Sequence, residues 1–332
     1  MAALSDQFLI AAILLYLAAM VCHAAEYAFG SRGAVGRAAI RPARELVAVG
    51  AGGPVSDDPD VRKISEPPGP VAPGRASVAR RATWAGRAAV AATVLAVLAH
   101  LGCLVFRGVA AGRMPWGNMY EFVLSVTFVG AVAWLVVLAR RPAIRHLGLF
   151  VALAMVLLLG VAGMVLYTPI APLVPALDSF WFVIHVSAAV LASGIFLLGS
   201  VPAAMFLTRA GYDRGKRRFP YSLGRRLPAA DALERLAFRL HAFAFPIWTF
   251  AVAAGAIWAE AAWGRYWGWD PKETWAFISW VVYAGYLHAR ATPSVKRSTA
   301  TWIAVIGFLT MLMNLFGVNL FFEGLHSYAN VD

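Results

Sequence analysis

Charged side chains are scarce in this sequence of 332 residues: Asp, Glu, Lys and Arg together make up 14% of it, whereas 61% of the residues are hydrophobic. Soluble domains carry about 25% charged residues, because their surfaces face water. The shortage of charge therefore excludes a soluble globular protein and indicates an integral membrane protein.

Cysteine is almost absent from the chain. The two cysteines, Cys22 and Cys103, lie in separate apolar runs and form no C-x-x-C pair. Thiol–disulfide relay chemistry usually requires two neighbouring cysteines, so the pattern argues against that class of function. We interpret both cysteines as small apolar residues in helix packing.

Apolar runs recur along the whole chain, and a helix of about 20 such residues crosses the roughly 30 Å hydrocarbon core of a bilayer. We predict an all-α polytopic membrane bundle with eight transmembrane helices, at about residues 8–29, 84–106, 118–139, 147–167, 181–208, 236–262, 271–290 and 299–322. The first run has no basic residues before it and no small-residue cleavage site. We therefore predict that residues 1–29 contain a transmembrane helix of the mature protein and not a signal peptide.

Basic residues, 29 in number, exceed the 17 acidic residues and give a formal net charge of +12. Loops rich in Lys and Arg stay on the cytoplasmic side of a membrane. The basic loops are 30–82, 140–145, 209–235 and 290–298, whereas the loops 107–117, 168–180 and 263–270 contain only Arg107, Arg113 and Arg265. We therefore expect a multi-pass protein of the plasma membrane with both termini outside. The positive charge follows from this topology and gives no reason to expect a nucleic-acid partner.

The first basic loop, residues 30–82, is rich in proline and glycine and has no periodic apolar face. Such a composition is typical of a disordered segment, here a disordered basic cytoplasmic loop. Residues 83–332 contain the other seven predicted helices and form the main transmembrane domain.

Residues 263–275, with the sequence W-G-R-Y-W-G-W-D-P-K-E-T-W, hold four of the twelve tryptophans. An aromatic belt at a membrane interface distributes tryptophan over many helix ends, whereas this segment concentrates it in one external loop. The concentration favours a binding surface for a flat, polarisable ligand, formed by Trp263, Trp267, Trp269 and Trp275. Asp270 is predicted to be the N-cap of the next helix, which would fix the angle of this surface.

Three of the seven histidines stand near the ends of predicted spans. His185 lies about one turn into the fifth span and His326 follows the eighth, so both are expected on the face that carries the tryptophan loop. His288 ends the seventh span on the opposite side. A single histidine in a helix is more often a structural hydrogen-bonding residue, but two histidines beside aromatic residues suit the axial coordination of haem iron. We interpret the other four as packing, interface or loop residues: His23, His100, His241 and, in a loop, His146.

Several motifs resemble the CcsA/ResC family of cytochrome c biogenesis proteins, called CcsB in some bacteria. The resemblance rests on W-G-R-Y-W-G-W-D-P-K-E-T-W-A-F-I at 263–278, Y-L-H-A-R at 286–290, G-L-H-S-Y at 324–328 and P-W-G-N-M-Y-E at 115–121. The tryptophan-rich stretch belongs to a wider superfamily of haem-handling membrane proteins, whereas the D-P-K-E-T-W-A continuation and the H-S-Y ending are specific to this family. The resemblance is strong over about 236–328, weaker over about 113–208, and absent from 30–82.

One departure from the family pattern lies before the P-W-G-N-M-Y-E element. Many relatives have a histidine there, where this chain reads Gly112-Arg113-Met114. We expect the loop 107–117 to differ in detail, with Arg113 either anchored among lipid headgroups or contributing to the binding of a haem propionate.

The resemblance implies a haem-handling subunit of a cytochrome c synthase, which acts with a ResB/Ccs1-type membrane protein. It implies that His185 and His326 are the external axial ligands of haem iron above Trp263, Trp267, Trp269, Asp270 and Trp275. His288 would be a membrane-embedded haem ligand, completed by a histidine of the partner. Haem b would then meet the C-x-x-C-H motif of an apocytochrome c on the outer face, and its vinyl groups would form thioethers with the reduced cysteines.

Two alternatives from other classes stay open at this point. A haem-binding electron-transfer subunit would normally place paired histidines inside its spans. A haem-free transporter would be expected to have broken helices at the membrane midplane or an internal repeat, and neither is clear in the sequence.

Overall fold

The computed structural model describes residues 1–29 and 73–326, and within these ranges the chain is helical without strands. The long helices are α1 (Ala2–Phe29), α2 (Pro73–Ala111), α3 (Met119–Arg140), α4 (Gly148–Met164), α5 (Phe180–Asp213), α6 (Ala230–Trp263), α7 (Pro271–Ala291) and α8 (Arg297–Leu312). A π-helical turn, Met313–Gly317, continues α8 into a short helix α9 (Val318–Phe321). The predicted all-α membrane bundle is confirmed.

Eight long helices stand at the eight predicted positions, but within the described ranges seven are long and apolar enough to cross a membrane. The exception is α7, whose 21 residues extend about 31 Å at 1.5 Å per residue. Its length therefore suits a span, but Lys272, Glu273, His288 and Arg290 make it less apolar than the others.

The domain boundary predicted between residues 82 and 83 falls inside a helix, because α2 begins at Pro73. Residues 30–72, the rest of the predicted cytoplasmic loop, lie outside the described residues.

Helix α5 occupies the centre of the bundle and is the most buried of the spans. It packs against α6, α3 and α8, whereas α1 packs against α2 and α4, and α7 packs mainly against α8. Two apolar clusters fill the interior. The larger includes Tyr120, Trp134 and Trp258, and the smaller joins α5 to α6, α7 and α8 through residues such as Phe196 and Tyr283.

The connecting segments alternate between the two ends of the bundle, as the charge pattern predicts. We call the end that carries residues 264–270 the tryptophan end. The segments 112–118 and 165–179 lie there too, since Arg107 bonds the Thr168 carbonyl and Trp258 Nε1 lies 2.9 Å from the Ala176 carbonyl.

The basic segments meet at the opposite end, which we call the basic end. There Arg145 pairs with Glu26 at 2.6 Å, and Arg290 pairs with Glu234. The bundle therefore has one end rich in tryptophan and one rich in arginine.

Candidate functional site

The tryptophan loop enters α7 through a capping box. Asp270 is the N-cap and its carboxylate accepts the Lys272 backbone N–H at 3.2 Å. Glu273 Oε2 in turn accepts the backbone N–H groups of Asp270, at 3.1 Å, and Gly268, at 2.9 Å. These bonds satisfy amide donors that the first turn of a helix leaves without partners. The predicted N-cap role of Asp270 is confirmed.

Asp270 also holds the C-terminal segment against the loop. Its Oδ2 lies 2.8 Å from His326 Nδ1, and its Oδ1 accepts the Leu325 N–H at 2.8 Å. The close approach requires Gly324, where a Cβ would lie 2.6 Å from Asp270 Oδ1. Burial alone raises the pKa of the Asp270 carboxyl, but the hydrogen bonds from His326 and the two amides outweigh it, so the pKa lies below its usual value.

His185 projects from α5 towards α6, where its Nδ1 lies 2.8 Å from the carbonyl oxygen of Ala251. A carbonyl oxygen only accepts, so Nδ1 carries the proton and Nε2 presents the lone pair. This contact depends on Gly255, because a Cβ there would lie 2.7 Å from the imidazole. Helix α6 thus sets both the position and the tautomer of His185.

Trp258 joins the two histidines. Its indole stacks on His185, with 5.6 Å between ring centroids and 14° between planes, and lies 5.5 Å from the His326 ring. Trp263 lies 4.9 Å from both Trp258 and His326. The structure therefore brings His185 and His326 together around a tryptophan that is only 2% exposed.

Trp258 was not among the predicted site residues. Its position five residues before Trp263 associates it with the tryptophan loop. An isolated tryptophan in an apolar span, however, more often indicates packing.

Two adjoining cavities, one larger than the other, open around these rings. The residues that line both are Phe122, His185, Trp258, Lys272, Leu315 and His326. We call the two cavities together the chamber. The larger one follows α5 into the bundle past Ala189, Ser193 and Leu197, which extend it about 18 Å below His185 at the rise of a helix.

The four tryptophans of the predicted binding surface differ in their surroundings. Trp263 contacts His326, and Trp267 lines the larger cavity. Trp269 is 64% exposed, has left-handed backbone with φ 58°, and packs its ring against Trp267 at 5.8 Å. Trp263, Trp269 and Trp275 line neither cavity. Of these four tryptophans, Trp267 therefore borders the chamber directly, and Trp263 contacts its residue His326.

His288 stands apart from the other two predicted ligands. It lies 18 residues after Asp270 on the same helix, about 27 Å along the axis, and is exposed on the surface of the bundle at its basic end. The three predicted ligands therefore form a pair and a single distant residue.

The interpretation of His146 as a loop residue was wrong. It belongs to the short 3-10 helix Pro142–Leu147 and is 1% exposed, packed near Tyr27 of α1 with 6.5 Å between ring centroids. The turn of 3-10 helix directs this side chain inward, which apolar periodicity alone does not predict.

Arg113, one of the residues of the loop that departs from the family pattern, forms an ion pair within the protein. Its guanidinium pairs with Glu121 at 2.7 Å, and Arg107 pairs with the same carboxylate at 2.8 Å. Asn118 caps α3 by accepting the Glu121 N–H at 2.9 Å. This arrangement fixes the segment that contributes Trp116 to the smaller cavity, so Arg113 positions a wall of the chamber.

Comparisons with known proteins match the part of the chain that lines the chamber. A family model described as cytochrome C assembly protein matches residues 116–326, which extend from Trp116 to His326. The cytochrome c biogenesis protein CcsA of Guillardia theta is 33% identical over 253 residues, which are 71% of this chain and 84% of that protein.

Two further relatives give the same result. The CcsA protein of Gloeothece citriformis is 33% identical over 290 residues, 74% of this chain and 87% of the relative. That of Chlamydomonas reinhardtii is 34% identical over 232 residues, 68% of this chain and 64% of the relative. The chain belongs to the cytochrome c assembly protein family, and its role lies in cytochrome c biogenesis.

Proposed function

We propose that this protein is the haem-handling membrane subunit of a cytochrome c synthase, and that it delivers haem b to the outer face of the plasma membrane for attachment to apocytochromes c. The observation that carries the proposal is the shared chamber of His185 and His326, whose Nδ1 atoms both contact protein oxygens. Metal-binding histidines commonly have this arrangement, in which one ring nitrogen is held by a carbonyl or carboxylate and the other binds the metal.

The chamber residues fit haem as a substrate. The two imidazoles would supply axial ligands to the iron, and the apolar rings of Trp258 and Trp267, which line the larger cavity, would form walls for the macrocycle. Both cavities are lined mainly by apolar side chains, as sites that bury small molecules and cofactors usually are.

The reaction requires the protein to hold haem and to leave its vinyl groups accessible. Each thioether forms when a cysteine S–H adds across a vinyl C=C: sulfur bonds one carbon, hydrogen goes to the other, and no oxidant is consumed. Both cysteines of the C-x-x-C-H motif must therefore arrive reduced. This chain has no C-x-x-C pair of its own.

The tryptophan end faces outside in this proposal. Its support is the concentration of Lys and Arg in the segments at the opposite end, which the positive-inside rule places in the cytoplasm. Apocytochromes c would then meet the chamber from the outer side.

The proposal includes a ResB-type partner subunit that binds haem together with His288. His288 is exposed on the surface of the bundle, where its imidazole and a histidine of the partner could bind one haem between them. In the co-purified complex we expect His288→Ala to lower the haem content at both positions, whereas His326→Ala lowers it at the outer position alone. Full haem content and full synthase activity in His288→Ala would remove the inner position from the proposal.

Complementation tests the proposed function. In a strain that lacks its own cytochrome c synthase, the chain together with a ResB-type partner is expected to restore covalent holocytochrome c. A haem-binding electron-transfer subunit would bind haem, as measured by a pyridine haemochrome spectrum, without restoring it. A haem-free transporter would do neither.

A further inference from the structure

Lys272 is the basic residue of the chamber. It is the second residue of α7 and lines both cavities together with His185 and His326. Its Nζ donates to Asn319 Oδ1 at 3.1 Å and lies 3.7 Å from the sulfur of Met119. Both of these partners are neutral, and both come from helix ends at the tryptophan end.

Neither nearby carboxylate bonds Lys272, although Asp270 attracts its charge and Glu273 lines the larger cavity. Among the residues that the structure describes, Asp270 pairs with His326 at 2.8 Å and Glu273 lies 3.8 Å from Arg265, while Lys272 forms no ion pair. The first turn of a helix also carries partial positive charge, which disfavours a cation there. Neither helix stability nor an internal ion pair accounts for a lysine at this position.

An ammonium in an apolar chamber favours an anionic ligand. The chamber wall is otherwise mainly aromatic and aliphatic, so the matching ligand has a broad apolar body and an acidic group at its edge. Lys272 lines both cavities together with His185 and His326. The acidic group would therefore be held near the two histidines.

We propose that Lys272 is the residue that recognises a carboxylate of the chamber ligand, and that its ammonium exchanges Asn319 for a propionate of haem held by His185 and His326. This inference rests on the proposed function. Propionates and vinyl groups occupy opposite edges of haem b. A propionate held at α7 therefore directs the vinyl edge away from this helix, and Lys272 sets which edge of the substrate an apocytochrome meets.

Asn319 keeps the lysine in place before the ligand arrives. Its amide nitrogen donates to the Leu315 carbonyl at 2.6 Å, and its oxygen accepts from Lys272. An amide oxygen is a weaker partner for an ammonium than a carboxylate, so the exchange is favourable.

The test compares two ligands in four purified proteins. Haem b and its dimethyl ester, which lacks the propionate charges, are titrated by absorbance into the wild type, Lys272→Met, Lys272→Arg and Lys296→Met. Lys296 is an exposed lysine at the other end of the bundle, and its replacement controls for the loss of one positive charge.

In the wild type we expect esterification to weaken binding about tenfold or more, the effect of losing a charge-assisted hydrogen bond. Lys272→Met should bind haem b more weakly than the wild type by a similar factor, and it should bind the two ligands equally. Lys272→Arg and Lys296→Met should still prefer haem b. Because each protein is its own reference, the different solubility of the ester cancels in the comparison between proteins.

Equal binding of the two ligands by the wild type would overturn the inference and leave the proposed function intact. So would a preference for haem b in Lys272→Met as large as in the wild type. If the methionine variant does not accumulate, Lys272→Gln takes its place, because glutamine also lacks the charge and can still donate to Asn319. A wild type that binds neither ligand would remove the proposed function, and this inference with it.

Discussion

The two chamber histidines are held by different kinds of acceptor. His185 contacts the neutral carbonyl of Ala251, whereas His326 contacts the carboxylate of Asp270. A charged acceptor strengthens a hydrogen bond and raises the basicity of a metal-binding imidazole. Asp270 therefore holds His326 by a charge-assisted hydrogen bond, whereas His185 is held by a neutral one.

We predict that the Asp270 carboxylate contributes to the free energy of unfolding and that this contribution is lost only at acidic pH. The pKa of its carboxyl lies below the ordinary value of 3.8, so the stabilisation is fully present above that value and is lost as the pH falls through the lower pKa of the folded protein. Asp270→Asn retains a capping side chain but no charge. The unfolding midpoint of the wild type should exceed that of the variant at pH 5 and above, and the difference should shrink as the pH falls below 3.8. A difference already lost at pH 5 would contradict this assignment.

Trp267 and Trp269 provide a matched pair, because one lines the larger cavity and the other is exposed. Trp267→Ala should weaken haem binding about fivefold or more, since it removes roughly 1–3 kcal/mol of burial and stacking. Trp269→Ala should change the affinity less than twofold. Haem titration of both purified variants measures this, and an equal or larger loss in Trp269→Ala would show that the exposed face of the loop binds haem instead.

At the scale of the helices, the membrane-spanning helix α6 contributes three residues that shape the site around His185. Ala251, Gly255 and Trp258 succeed one another at intervals of four and three residues, so they share the face directed at His185. This face cannot be identified from the sequence, because it depends on which neighbour α6 meets. The capping box at Asp270 is local, and for that reason the sequence predicts it.

Gly255→Ala tests this packing. Alanine favours a helix by up to about 1 kcal/mol over glycine, yet its Cβ would lie 2.7 Å from the His185 ring and displace it. We expect weaker haem binding without loss of helix content. Gly160→Ala in α4 is the control, because a Cβ there meets nothing within 4 Å. Unchanged haem affinity in Gly255→Ala would mean that His185 does not need its present position.

At the scale of the whole molecule, the sequence predicts what depends on length and charge. Apolar runs locate all eight long helices, and the distribution of arginine separates the two ends. The chamber depends on contacts between distant segments: His185, Trp258 and His326 are brought together by the packing of α5 against α6 and by the return of the chain to Asp270. Lys272 was missed because a lysine beside a capping box is expected to face solvent.

The central claim is that His185 and His326 bind the same haem, and its most direct test is the absorption spectrum of reduced haem in the purified complex. For the wild type we predict the low-spin spectrum of an iron with two axial imidazoles. His185→Ala and His326→Ala should each lose this spectrum at the outer position, and free imidazole should restore it by occupying the vacated axial position. An unchanged spectrum and wild-type levels of holocytochrome c in His185→Ala would contradict the account.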